Sequence, residues 1–208
     1  RYFKQQISPA DVCWTYSGVR PLLDEESTDN PAAVTRDYRL EMDDGNGAPL
    51  LSVFGGKITT FRKLAEEAAD SLCQVLGSSA LGWTAGSPLP GGDIAGARFA
   101  PFADAFAQQN RWLPPALAHR YARAYGTRAR RIVGRAQSLA ELGRQFAPDL
   151  YEAELRYLRD VEWATRAEDV LWRRTKLGLH VEPGTLEWVT AALDEWFAAA
   201  RAATLARH

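Results

Sequence analysis

Cysteine is nearly absent from the 208 residues, with only Cys13 and Cys73, far apart. That spacing offers neither the density of a disulfide framework nor a metal-type pair, and it fits a reducing cytosol. Histidine is equally scarce: His119, His180 and His208 are scattered and have no ligand partners at metal spacing, so no metal centre is expected. No apolar run approaches the roughly 20 residues needed to cross a bilayer, so any membrane association should be peripheral. Charge of one sign is not in excess either. The 25 lysines and arginines face 26 acids, a formal net charge of -1, which gives the whole chain no electrostatic bias toward nucleic acid. Arg1 opens the chain without the charged, apolar, small-residue order of a secretory signal, and the sequence is expected to be truncated upstream.

What is present is enough apolar material, 46% of residues, for one good core or two small ones. Ser8 and Pro9 read as a helix N-cap with proline at the first position, and Cys13 to Leu23 then reads as a strand. After a polar loop, Tyr38 to Met42 alternates, Asp43 to Gly47 has hairpin-turn chemistry, and Pro49 to Phe54 is a continuous apolar run expected to be a buried second arm. Beyond Gly55 and Gly56, apolar or small residues from Phe61 to Leu76 recur at helical spacing, with Gly77 as a stop.

From Ser78 to Gly96 the composition shifts to Gly, Ser and Pro, which marks a linker. Helical periodicity follows over Phe99 to Gln109, Pro114 to Tyr125 with Gly126 as a stop, Thr127 to Leu142, Tyr151 to Trp163, Arg166 to Leu177 and Thr185 to Ala203. The expected fold is therefore α+β over residues 1–77, a hairpin plus helix, then a linker over 78–96 and an all-α domain over 97–208. The whole is predominantly helical.

The glycine pair at Gly55 and Gly56 falls where a strand ends and a helix begins. The first amides of that helix, at Lys57, Ile58 and Thr59, then have no acceptor behind them and favour an anionic or electron-rich oxygen. Lys57 adds a full positive charge. A bare Gly-Gly-Lys is most often architecture alone, so the turn by itself decides nothing. Farther along, Arg120, Arg123, Arg128, Arg130, Arg131 and Arg135 form a basic stretch with no acid among them. Its default reading is a solvated or salt-bridged helical face. Asp169 and Arg173 stand four apart on one helix and should pair across a turn, a structural role. Trp163, Trp172, Trp188 and Trp196 are expected to pack in the bundle.

The company of that turn is more specific. Tyr16-Ser-Gly-Val-Arg-Pro-Leu22, Thr35-Arg-Asp-Tyr38 and Pro49-Leu-Leu-Ser-Val-Phe-Gly-Gly-Lys-Ile-Thr-Thr-Phe-Arg-Lys-Leu-Ala65 occur in order. Leu89-Pro-Gly-Gly92, Ala118-His-Arg-Tyr-Ala-Arg-Ala-Tyr-Gly126, Tyr151-Glu-Ala-Glu-Leu-Arg-Tyr157 and Ala167-Glu-Asp-Val-Leu-Trp-Arg-Arg-Thr-Lys176 follow. Together they resemble the C-terminal part of the aerobic, FAD-dependent glycerol-3-phosphate dehydrogenases, across nearly the whole chain.

The resemblance implies an oxidoreductase that converts sn-glycerol 3-phosphate to dihydroxyacetone phosphate and passes electrons through FAD to membrane quinone, at the inner face of the cytoplasmic membrane. It makes residues 1–77 the end of an FAD and substrate domain, and the helical half a cap. Arg20 corresponds to a family arginine at the substrate phosphate, which a guanidinium fork suits, and Arg36 to a second one nearby. Lys57 matches the lysine of the family turn, at either the reduced flavin edge or the phosphate. Gly55, Gly56, Ile58 and Thr59 complete the flavin-facing turn.

No Gly-x-Gly-x-x-Gly opens a βαβ unit here, so the adenosine diphosphate end of FAD has no receptor in this chain. The family's proton-accepting histidine is likewise expected upstream, which leaves no catalytic residue in the fragment and no activity on its own. The same resemblance makes anionic lipid a second reading of the basic stretch. Rival readings are a helical interaction or membrane-docking module, and a related FAD oxidoreductase with another substrate.

Overall fold

The computed structural model describes residues 4, 6–12, 14–19, 37–45 and 47–206. The chain divides into two compact units, Thr15–Pro88 and Arg1–Trp14 with Leu89–His208.

In the smaller unit, β1 (Tyr38–Asp43) and β2 (Leu50–Gly55) form an antiparallel hairpin that sets Tyr38 opposite Gly55 and Asp43 opposite Leu50. The turn chemistry is visible in the Gly45 amide, which donates to Asp43 Oδ1 at 3.1 Å. A 3-10 turn at Ile58–Thr60 leads into α1 (Phe61–Val75). Gly77, at φ +66, ends it, and the Ser78 amide reaches back to the Cys73 carbonyl at 2.8 Å.

The apolar run of β2 is not a buried arm. Leu50 is 60% exposed, Val53 48% and Phe54 40%, and α1 holds no fully buried residue. A two-stranded ribbon with one helix on it can shield only part of its apolar surface, which is why such pieces are marginal by themselves. Trp14–Val19, expected to belong to a strand, carry no regular secondary structure, and among the described residues β1 pairs with β2 alone. The remainder of that expected strand, like Arg20 and Arg36, lies outside the described residues.

The larger unit holds the core. Its helices are α2 (Phe99–Gln109), α3 (Pro115–Tyr125), α4 (Ala129–Val133), α5 (Glu152–Glu162) and α6 (Pro183–Leu205). Phe106, Leu117, Tyr121, Leu150, Leu155, Leu158, Leu171, Leu193 and Phe197 are almost wholly withdrawn from solvent. Each such side chain contributes about 1.5–3 kcal/mol of transfer free energy, so this core carries most of the stability. The expected helix from Thr127 to Leu142 is broken: α4 stops at Gly134, φ +55, and a 3-10 turn follows at Leu139–Leu142. A short ladder of β3 (Gln145–Ala147) and β4 (Leu150–Tyr151), too brief to leave a period in the sequence, precedes α5.

Asp169–Arg174 winds as a π-helix, a form that is rare outside single turns. Asp169 fastens its start by accepting from the Thr165 amide at 2.9 Å and the Thr165 hydroxyl at 3.2 Å, while Arg173 pairs with Asp169 at 2.9 Å and Glu168 at 2.8 Å. Burial pushes the Asp169 carboxyl up, but the Thr165 bonds and Arg173 outweigh it and hold the group below the usual carboxylate range. Of the tryptophans expected in the bundle, Trp172 and Trp196 pack against the core, whereas Trp163 is 82% exposed and Trp188 59%. Trp163 is the left-handed cap of α5, a position that turns it off the packed face.

Candidate functional site

The turn from β2 to α1 is built by backbone conformation. Gly55 and Gly56 stand at φ +73 and +102, values an L side chain rarely adopts. A Cβ on Gly56 would also lie 3.1 Å from Leu64 Cδ1, so the chain passes close over α1 there. Lys57 then returns to extended backbone, at φ -125 and ψ 149, and its carbonyl accepts from the Thr60 amide at 3.0 Å and the Thr60 hydroxyl at 3.1 Å. The amides opening the 3-10 turn have no helical acceptor behind them. Lys57, Ile58 and Thr59 are exposed, with Ile58 at 88%. The result is a positively polarised chain end with a lysine beside it, able to hold an electron-rich oxygen and unable to activate a nucleophile.

Its supports come from side chains on β1, on α1 and in the segment after α1. The Tyr38 hydroxyl, at the start of β1, donates to Glu67 Oε2 of α1 at 2.6 Å, and that bond, with desolvation, raises the phenol to about 12. Arg62 binds Glu66 at 3.2 Å and Thr84 Oγ1 at 3.1 Å, so its charge is spent on tying the segment after α1 to the helix. Lys63, 3.2 Å from Glu66, and Arg62 keep that carboxyl below its ordinary range. The two Glu positions could have been flagged by their spacing from Arg62 and Lys63. Tyr38 to Glu67 spans 29 residues and leaves no local signal.

The basic stretch does not form one surface. Arg120 is withdrawn from it: both Nη atoms bind Glu154, at 2.7 and 2.6 Å, and Glu154 is completely buried. The expectation that Arg120 meets lipid is therefore corrected, because α3 turns this residue inward onto α5. Arg131 and Arg135 line a groove of about 570 Å³ floored by Ile132, Val133 and Leu142, whereas Arg130 borders a different one with Asp93 and Thr127. His119 is exposed and packs edge-on to Phe99, and His180 is exposed after a 3-10 turn; His208 lies outside the described residues. Among the described residues no helix is long and apolar enough to cross a membrane.

A family profile described as the C-terminal domain of alpha-glycerophosphate oxidase matches residues 82–199. The chain belongs to this family. The matched span of the alpha-glycerophosphate oxidase C-terminal domain contains α2 to α5, the π-helix and most of α6. Among curated relatives, the aerobic glycerol-3-phosphate dehydrogenase of Escherichia coli (strain K12) is 51% identical over 196 residues, which is 94% of this chain and 39% of that protein. The D-erythritol 1-phosphate dehydrogenase of Brucella abortus (strain 2308) is 49% identical over 197 residues, 95% of this chain and 38% of that protein. The alpha-glycerophosphate oxidase of Streptococcus pneumoniae serotype 4 is more distant, 32% identical over 204 residues. The chain thus spans less than two fifths of the length of the first two relatives.

Proposed function

We propose that this chain is the C-terminal part of an FAD-dependent enzyme that oxidises sn-glycerol 3-phosphate to dihydroxyacetone phosphate and delivers the electrons to membrane quinone. One observation carries the reading: 51% identity to an aerobic glycerol-3-phosphate dehydrogenase over 94% of the chain. The flavin-facing turn fits the group, since it offers exposed amides and a lysine at one chain end. In this reading residues 1–77 close the FAD and substrate domain, residues 78–96 connect, and residues 97–208 form a cap.

Bound FAD supplies the acceptor for the hydride that leaves the carbinol carbon. With the backbone bent by Gly55 and Gly56, the amides of Ile58 and Thr59 would hold the flavin ring oxygen. Lys57 would supply a fixed positive charge either at that edge or at the substrate phosphate. Arg20 and Arg36 hold the substrate phosphate, Arg20 through a bidentate fork. No group of this chain is assigned the proton, and the isolated chain is expected to be inactive.

In the longer protein containing this chain, anaerobic addition of sn-glycerol 3-phosphate should bleach the oxidised flavin absorbance. Arg20→Ala should raise KM about tenfold or more while changing kcat less. Slower flavin reduction in Lys57→Ala would place that lysine at the flavin, and a raised KM alone would place it at the phosphate. The Brucella abortus relative favours a second reading with the same chemistry, a four-carbon polyol phosphate. Faster bleaching by D-erythritol 1-phosphate would reassign the substrate, and no bleaching by either would end the proposal.

The protein is further proposed to work peripherally, at the inner face of the cytoplasmic membrane. The exposed Arg123, Arg130, Arg131 and Arg135 are the candidates for anionic lipid. Sedimentation with anionic vesicles, lost at high salt, is the expected result. Equal binding to neutral vesicles would remove the arginines from that role.

A further inference from the structure

The groove beside Arg131 and Arg135 lies wholly within the helical unit, between the break after α4 and the side of α5. Its volume, about 570 Å³, is within the range of small-molecule sites. Ile132, Val133 and Leu142 are buried in the core beneath it, and Ala153 and Val161 of α5 are half-buried alongside. The floor is therefore apolar and firmly packed. Three arginines and two acids also line it, and most of these charges are already engaged. Arg156 pairs with Glu152 at 2.8 Å, and the Asp160 oxygens accept from Arg159 at 2.6 and 3.2 Å. Glu141 is drawn to its own loop, where it accepts from the Gln137 amide at 3.2 Å and the Ser138 hydroxyl at 3.0 Å. Arg131 and Arg135 are exposed, and among the described residues neither has a hydrogen-bond or ion-pair partner. With the two ion pairs neutral, two guanidiniums face the single carboxylate of Glu141, which leaves the rim positive.

We propose that this groove is a binding site for a phosphate monoester on a single apolar chain, taken from solution as one molecule. Arg131 and Arg135 hold the phosphate, because a guanidinium fork matches its oxygens. The chain covers Ile132, Val133, Leu142 and Val161, and removing it from water supplies the rest of the affinity. Neither half suffices alone. A bare phosphate meets only exposed charges, which solvent and salt screen, and a neutral chain leaves both guanidiniums unanswered. A bilayer lipid fits less well, since its chains stay in the membrane and cannot fill the floor. Arg123 and Arg130 lie outside this groove and have no part in the site.

The test is calorimetric titration of octyl phosphate, below its micelle-forming concentration, into the longer protein containing this chain in detergent-free buffer. Octyl phosphate should bind at least about tenfold more tightly than inorganic phosphate or 1-octanol. Shortening the chain toward butyl phosphate should weaken binding roughly two- to fourfold per methylene removed. Arg131→Gln and Arg135→Gln change exposed side chains and should each raise Kd about tenfold with the fold intact. Arg123→Gln, which removes an exposed charge elsewhere, should leave Kd unchanged. Two results would overturn the inference: a Kd that neither groove substitution moves, or an equal loss in Arg123→Gln, which would reduce the effect to overall charge. Anionic vesicles are run beside these. Sedimentation lost in Arg131→Gln and Arg135→Gln, with no octyl phosphate bound by the parent, would give both arginines to a bilayer surface and likewise end the proposal.

Discussion

Replacing Glu154 by alanine should cost the helical unit about 3–5 kcal/mol, the range for removing one partner of a buried ion pair. Glu154 has no exposed surface, and three donors converge on it: Arg120 Nη1 at 2.7 Å, Arg120 Nη2 at 2.6 Å and the Tyr125 hydroxyl. The substitution leaves the guanidinium with the Asp149 carbonyl and the face of the Tyr121 ring, 4.8 Å away, as its nearest compensation. Arg120 Nε and the Tyr121 hydroxyl already lack hydrogen-bond partners among the described residues, so the pocket is under-satisfied even with Glu154 in place. Burial pushes the Tyr125 phenol well up and the Glu154 charge adds to it, which keeps that hydroxyl a donor throughout the ordinary pH range. Glu154→Gln keeps the shape and one acceptor and should lose less. Replacing Arg120 and Glu154 together by apolar residues should lose less than Glu154→Ala, since no charge is then left alone. Urea unfolding of the three variants checks the order. Equal midpoints for Glu154→Ala and the parent would show that this ion pair is dispensable.

That pair also shows what sequence could not reveal. Arg120 sits in a run of arginines with no acid among them, and its partner is 34 residues away on another helix. Local cues put it on a solvated or salt-bridged face and gave no sign of Glu154 as its partner. By contrast, α2, α3, α5 and α6 were legible because a single apolar stripe repeated at helical spacing runs through each, and Gly126 stopped α3 where expected. The break at Gly134 was not, since the apolar spacing continues across it while the backbone does not.

At the candidate site the legible part was the local part. A strand, two glycines and a helix are contiguous, so their order alone fixes which amides lie at the chain end. What braces the turn is not contiguous: Tyr38 reaches Glu67 and Arg62 reaches Thr84 across 29 and 22 residues. The exposure of Leu50, Val53 and Phe54 had no signature either, because burial depends on what lies over a strand and not on the strand's composition.

Gly126→Ala is expected to destabilise the helical unit by about 3–5 kcal/mol, combining steric overlap with strain at a conformation L residues avoid. Gly126 ends α3 at φ +54 and ψ -134, outside even the ordinary left-handed region. Its missing side chain is where Gly91 passes: a Cβ there would sit 1.9 Å from the Gly91 carbonyl oxygen, and the reciprocal Cβ on Gly91, at φ +88, would sit 2.4 Å from the Tyr125 carbonyl oxygen. Both obstacles are backbone, so no rotamer change relieves either. The approach also carries a hydrogen bond, from the Thr127 amide to the Gly91 carbonyl at 3.0 Å, and the Thr127 hydroxyl bonds Asp93 beside it. Two glycines in segments that read as loop and stop signal are therefore one packing contact. Gly91→Ala should cost a comparable amount. Because the two substitutions break the same contact, the double variant should lose less than the sum of the singles. Thermal unfolding of the set measures this, and a Gly126→Ala protein as stable as its parent would mean that the two backbones do not approach so closely.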